Sequence, residues 1–210
     1  MKQIKKILST LFVTASLLSF SQITFGVKAN MLYQADKPTW ENIKNGTTTV
    51  YQDKGKNNVG YNAGIALKIN TPLGIFIQPE LYYTTFSNEF TDVATNTTIE
   101  VKNNRADLPV LVGYNLLGKT LGIYAGPVAS YKLSTDNQYN DFKENATKEF
   151  TLGYQFGAQV TISKLVVSAR YEGAFSNDQR EFINTNVSSN EVIRYDNRPS
   201  LLMFGLGLNF

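Results

Sequence analysis

Hydrophobic and polar residues alternate with a period of two in eight stretches of this chain, and polar connections separate them. Successive strand side chains point to opposite faces, so each stretch predicts a β-strand with one apolar and one polar face. The first, Gln22–Tyr33, puts Ile23, Phe25, Val27, Ala29, Met31 and Tyr33 on one face and Thr24, Gly26, Lys28 and Asn30 on the other. Further strands are predicted at Val59–Asn70, Leu73–Phe86, Arg105–Leu116, Thr120–Ser134, Phe150–Ile162, Leu165–Ser176 and Ser200–Phe210. Residues 34–58, 87–104, 135–148 and 177–198 read as long polar loops, with Ile99–Lys102 offering an extension of the following strand. Thr71-Pro72, Leu117-Gly118-Lys119 and Ser163-Lys164 read as tight turns. The connections therefore alternate long and short. That is the pattern of an all-β, antiparallel up-and-down transmembrane barrel of eight strands, with both termini on the short-turn, periplasmic side.

Charge placement separates this architecture from its soluble rivals. The apolar face carries no Asp, Glu, Lys or Arg, whereas Lys28, Lys68, Glu80, Asp107, Lys132, Arg170 and Glu172 all fall on the other face. A cation facing lipid at mid-bilayer costs about 2–4 kcal/mol, which explains the exclusion. A lipocalin-like barrel would turn its apolar face inward and a richly charged face to water. Here the second face is mostly Gly, Ser, Thr, Gln and Asn, which suits a narrow polar lumen. Tyr33, Tyr61, Tyr83, Tyr131, Phe150 and Phe175 gather toward the loop ends of the apolar face, and Phe25, Phe204 and Phe210 toward the turn ends. Two interfacial aromatic girdles would have this distribution.

The front of the chain changes the charge and domain picture. Lys2, Lys5 and Lys6 precede an apolar run, Ile7–Phe20, and small residues follow at Ser19 and Ser21. This predicts a signal peptide over 1–21, cleaved after Ser21, and one barrel domain over 22–210. Cleavage after Ala29 is an alternative, but it would remove most of the first strand. Losing the three lysines takes the formal charge from +3 to zero, so nucleic acid is not an expected partner. Cysteine is absent, which leaves an exported chain without disulfides.

The closing strand resembles the C-terminal assembly signal of bacterial outer-membrane barrels, with Phe204, Leu206, Leu208 and Phe210 on one face. That resemblance implies recognition by the barrel-assembly machinery. A second resemblance covers nearly the whole chain after residue 21. Phe25-Gly26-Val27-Lys28-Ala29, Gln78-Pro79-Glu80-Leu81-Tyr82-Tyr83, Asp107-Leu108-Pro109-Val110-Leu111-Val112, Gly126-Pro127, Arg170-Tyr171-Glu172-Gly173 and Gly205-Leu206-Gly207-Leu208-Asn209-Phe210 carry it. These stretches resemble the PorT-like outer-membrane β-barrel proteins of diderm bacteria. The resemblance implies an integral barrel in the cell outer membrane, surrounded by its lipid. Some members serve protein secretion, so an envelope or secretion-complex partner is an expectation of the same kind.

Little of the sequence points to chemistry. Histidine is absent as well as cysteine, which removes Ser-His-Asp and Cys-His nucleophile sets and imidazole metal sites. No catalytic residue, metal site or cofactor is therefore expected. Counted from the short-turn end, Lys28, Glu80, Arg170 and Glu172 lie at similar heights on the polar face and should converge at mid-lumen. Charges so deep must pair, so these four predict a salt-bridge cluster closing the lumen. A structural or partner-contacting protein is the expected function. A small-solute channel is the alternative, and a lipid-modifying enzyme using paired carboxylates comes third. Trp40, the single tryptophan, falls in the first loop, at the membrane edge or in a contact.

Overall fold

The computed structural model describes residues 22–35, 40–44, 47–51, 59–92, 97–137, 142–146, 150–175, 179–184, 192–196 and 200–210, with side chains over 22–35, 59–87, 104–133, 150–175 and 200–210. The predicted signal peptide and the side chain of Trp40 lie outside these residues. The strands are β1 (Gln22–Gln34), β2 (Trp40–Lys44), β3 (Thr47–Tyr51), β4 (Gly60–Asn70), β5 (Ile75–Asp92), β6 (Thr97–Asn115) and β7 (Leu121–Asn137). They continue with β8 (Phe142–Ala146), β9 (Phe150–Ile162), β10 (Leu165–Ala174), β11 (Gln179–Asn184), β12 (Val192–Asp196) and β13 (Leu201–Asn209).

Eight of these close a barrel in the order β1-β13-β10-β9-β7-β6-β5-β4, every neighbour antiparallel. Closure is made by the chain ends. β1 pairs with β13 from Gly26↔Asn209 to Gln34↔Leu201, and with β4 from Gln22↔Asn70 to Leu32↔Gly60. Because each barrel strand has a partner on both sides, backbone N–H and C=O groups are satisfied within the wall, a requirement for crossing lipid.

The burial pattern fixes which face looks out. Phe156 is 50% exposed, Val167 43% and Leu206 61%, while Arg170 is 4% and Glu172 1%. In water such an apolar exterior would be costly; in hydrocarbon it is the favoured surface. Aromatic rings cluster on it, as where Tyr154 lies 5.0 Å from Phe175 and Phe156 5.3 Å from Tyr171.

The short turns place residues in the left-handed region where two strands must reverse. Gly74 has φ 82° and Gly118 φ 59°, and Ser163 in the two-residue turn has φ 56°. The first turn spans Thr71–Gly74 instead of Thr71-Pro72, because the Thr71 hydroxyl and amide both bond to the Ile75 carbonyl and hold the reversal open.

The long connections differ from the loops expected of them. β5 and β6 stay paired to Asp92↔Thr97, so 87–104 is largely a hairpin extension. β2, β3, β8, β11 and β12, from the other three connections, pair in a five-stranded sheet of order β3-β2-β12-β11-β8. These segments are polar, yet Thr47-Thr48-Thr49-Val50-Tyr51 and Val192-Ile193-Arg194-Tyr195 are rich in β-branched and aromatic residues, which favour strands. Composition alone reads them as loops.

Candidate functional site

Nine interior-facing side chains of the barrel form one continuous hydrogen-bonded chain. Alternation along each strand dictates the set: Lys28 from β1, Gln78 and Glu80 from β5, Arg105 and Asp107 from β6, Gln155 and Gln159 from β9, and Arg170 and Glu172 from β10 are all buried. Glycines on adjacent strands make room for the long side chains. Lys28 stands between Gly207 and Gly64 in register, and a Cβ on Gly207 would sit 2.8 Å from the Lys28 Cγ. Arg170 lies opposite Gly157, where an added Cβ would meet the Arg170 Cβ at 2.7 Å.

Glu80 is the hub of the lower part. Its Oε1 accepts from Lys28 Nζ at 2.8 Å and from Gln78 Nε2 at 2.6 Å, and its Oε2 accepts from Arg170 Nη1 at 2.6 Å. Lys28 also donates to Gln159 Oε1 at 3.2 Å. Arg170 donates to Gln155 Oε1 at 3.2 Å, and its guanidinium lies 5.8 Å from the Tyr82 ring and 5.4 Å from the Tyr124 ring. The ring faces add a cation–π attraction in a region with little water.

Gln155 carries the chain upward. Its Nε2 donates to Glu172 Oε2 at 2.7 Å, and Glu172 Oε1 accepts from Arg105 Nη2 at 2.8 Å. Arg105 Nε donates to Asp107 Oδ2 at 3.0 Å, and the same oxygen accepts from Thr84 Oγ1 at 2.6 Å. Three cations and three carboxylates are thus joined by four salt bridges, with no net charge. Charge-assisted bonds of this length are the strong kind, and they offset a burial cost of several kcal/mol per ion.

Of the four residues singled out by sequence, Lys28, Glu80 and Arg170 touch directly. Glu172 stands one residue away, joined to Arg170 through Gln155 and paired with Arg105. Two charged members lie outside the predicted four: Asp107, expected on the polar face but not in the cluster, and Arg105, not singled out by sequence at all. The parity of Arg105 with Asp107 placed it on the lumen face, but it opens the predicted strand, where a charge reads as loop. In the structure β6 begins eight residues earlier, at Thr97.

Apolar layers lie on both sides of the network. Phe76, Leu111 and Tyr124 form a buried cluster toward the short turns, and Leu32, Leu201 and Met203 one toward the long connections. Among the described residues no group of three or more Asp, Glu, His or Cys side chains could hold a metal ion. The closing-strand residues Phe204, Leu206, Leu208 and Phe210 all point outward, Phe204 edge-on to Tyr33 at 6.0 Å and Phe210 6.3 Å from Phe25.

Comparison with known proteins agrees with this geometry. Residues 16–178, more than three quarters of the chain, match the profile of the family described as outer membrane protein beta-barrel domain. No curated protein matches in sequence. Among solved structures, the outer membrane protein OprG from Pseudomonas aeruginosa is similar at TM-score 0.58 and 12% identity, over 89% of this chain and 95% of that one. The outer membrane protein AlkL, solved in DMPC lipid bilayers, is similar at TM-score 0.55 and 9% identity, over 90% of each chain. At these identities the likeness is one of fold.

Proposed function

Since the chain belongs to the outer membrane protein β-barrel domain family, we propose that it is a non-enzymatic integral protein whose closed barrel carries extracellular segments to a partner. The observation that carries this reading is the lumen. A neutral network runs from Lys28 to Asp107, between the Phe76/Leu111/Tyr124 and Leu32/Leu201/Met203 layers. A solute entering the barrel must break buried ion pairs, and removing one partner of such a pair typically costs about 3–5 kcal/mol. An eight-stranded barrel is just wide enough to be filled by its own side chains.

The long connections support the second half of the proposal. Three of them contribute strands to a sheet of their own, and function gathers on such connecting segments when a rigid scaffold positions them. In this reading residues 1–21 are a cleaved signal peptide, and the domain is 22–210. The face formed by Phe204, Leu206, Leu208 and Phe210 is read by the barrel-assembly machinery. The partner belongs to an envelope or secretion complex, in keeping with the PorT-like resemblance.

Planar-bilayer recording separates this function from a small-solute channel. The expected wild-type result is no steady conductance, with currents appearing in the Glu80→Ala or Arg170→Ala variants. Steady wild-type conductance would establish the channel instead. Cross-linking in native outer membranes, followed by purification, should recover one partner joined through 34–58, 87–104, 135–148 or 177–198. Lipid A changes that depend on Glu80 or Glu172 would argue for the enzyme.

A further inference from the structure

The charged side chains at the short-turn end of the barrel are of one sign only. Segments 22–26, 66–77, 112–123, 161–166 and 207–210 contain Lys68, Lys119 and Lys164, and not one Asp or Glu. Lys119 and Lys164 lie in exposed turns, where lipid headgroups and water reach them. Lys68 is different. It is half-buried and on the lumen face of β4, one step below the neutral network, whose nearest cation, Lys28, is already committed to Glu80.

Lys68 lies at the short-turn end of the lumen, among amide side chains and an aromatic ring. Lys68 Nζ lies 4.1 Å from the centroid of the Phe76 ring, part of the apolar cluster with Leu111 and Tyr124. Lys68 donates to Asn115 Oδ1 at 3.1 Å. Asn115 Nδ2 donates to Asn70 Oδ1 at 3.2 Å, and Asn70 Nδ2 to the Gln22 carbonyl at 3.4 Å. Lys119 reaches over the rim to hydrogen-bond the Gln22 side chain. Thr24 stands opposite Lys68 in register on β1, and no salt bridge reaches Lys68 among the described residues. A half-buried cation with one amide acceptor keeps N–H donors to spare, in a place where bulk screening is reduced.

We propose that the short-turn end of the lumen at Lys68 is an oxyanion site. Lys68 is the buried donor and Lys119 the rim donor for a phosphate or carboxylate group that enters from the periplasmic side. Phosphate is the probe of choice, because its several oxygens can engage both ammonium groups at once. The same chemistry is available from free anions and from the headgroups of anionic phospholipid.

The test uses the full barrel in nanodiscs of zwitterionic phosphatidylcholine, titrated with inorganic phosphate while the Lys68 Nζ and Asn115 side-chain amide resonances are followed by NMR. A saturable shift is expected at constant ionic strength, retained in Lys164→Met. In Lys68→Met it should weaken by roughly tenfold or more, the loss of one charge-assisted contact. Lys68→Arg, which keeps the charge if Lys68→Met fails to fold, should retain the shift. Nanodiscs of phosphatidylglycerol that produce the shift without added phosphate, and compete with it, would identify the headgroup as the source. A linear response reproduced by sodium chloride, or one unchanged in Lys68→Met, would overturn the proposal.

Discussion

Replacing Glu80 by Ala should destabilise this barrel more than any other single charge removal in the lumen. Glu80 is 2% exposed and accepts from Lys28, Gln78 and Arg170 at 2.8 Å or less. Its loss leaves two buried cations with amide acceptors only, Lys28 on Gln159 at 3.2 Å and Arg170 on Gln155 at 3.2 Å. Breaking one buried pair costs about 3–5 kcal/mol, and Glu80→Ala breaks two that share an acid. The loss should therefore fall at about 5 kcal/mol, or above a thousandfold in the folding equilibrium. Urea unfolding in phospholipid vesicles, followed by circular dichroism and by the mobility difference of folded barrels on unheated gels, measures it. Removing the whole triad in Lys28→Met/Glu80→Leu/Arg170→Met should restore much of the stability, since apolar groups of similar volume avoid ion desolvation. A Glu80→Ala loss under about 1 kcal/mol, the range of solvated pairs, would refute a dry lumen.

Three further outcomes are expected. In a double-mutant cycle, Arg105→Ala and Glu172→Ala should couple by about 1–3 kcal/mol in vesicle unfolding, because their 2.8 Å contact is buried. Ala169→Arg, which aims a cation at lipid from the middle of β10, should cost about 2–4 kcal/mol, whereas Leu73→Arg in a turn should cost about 0–1 kcal/mol, by the same assay. Gly64→Val and Gly126→Val should abolish the folded gel band. The added Cβ atoms would meet the Leu81 carbonyl oxygen at 1.9 Å and the Val110 carbonyl oxygen at 2.1 Å, so the wall cannot keep its strand spacing.

Sequence by itself determined the wall. A period of two states which side chains share a face, and a lipid-facing surface that excludes charge makes that face legible from Phe25 to Phe210. The eight barrel strands and the turn around Ser163-Lys164 follow from such local rules, and so does the inward orientation of Lys28, Glu80, Arg170 and Glu172. Parity gives the side of a residue but not its height or its partner across the lumen. Those depend on strand tilt, stagger and irregularities such as the register shift at Asn104/Arg105, which are properties of the closed sheet. Hence the pairing of Glu172 with Arg105, and the position of Gln155 between the two halves of the network, were decided only by tertiary structure. The second sheet was hidden for a related reason. Its strands are short and polar, and the β2–β3 and β11–β12 hairpins join each other and β8 only once the barrel brings three separate connections side by side.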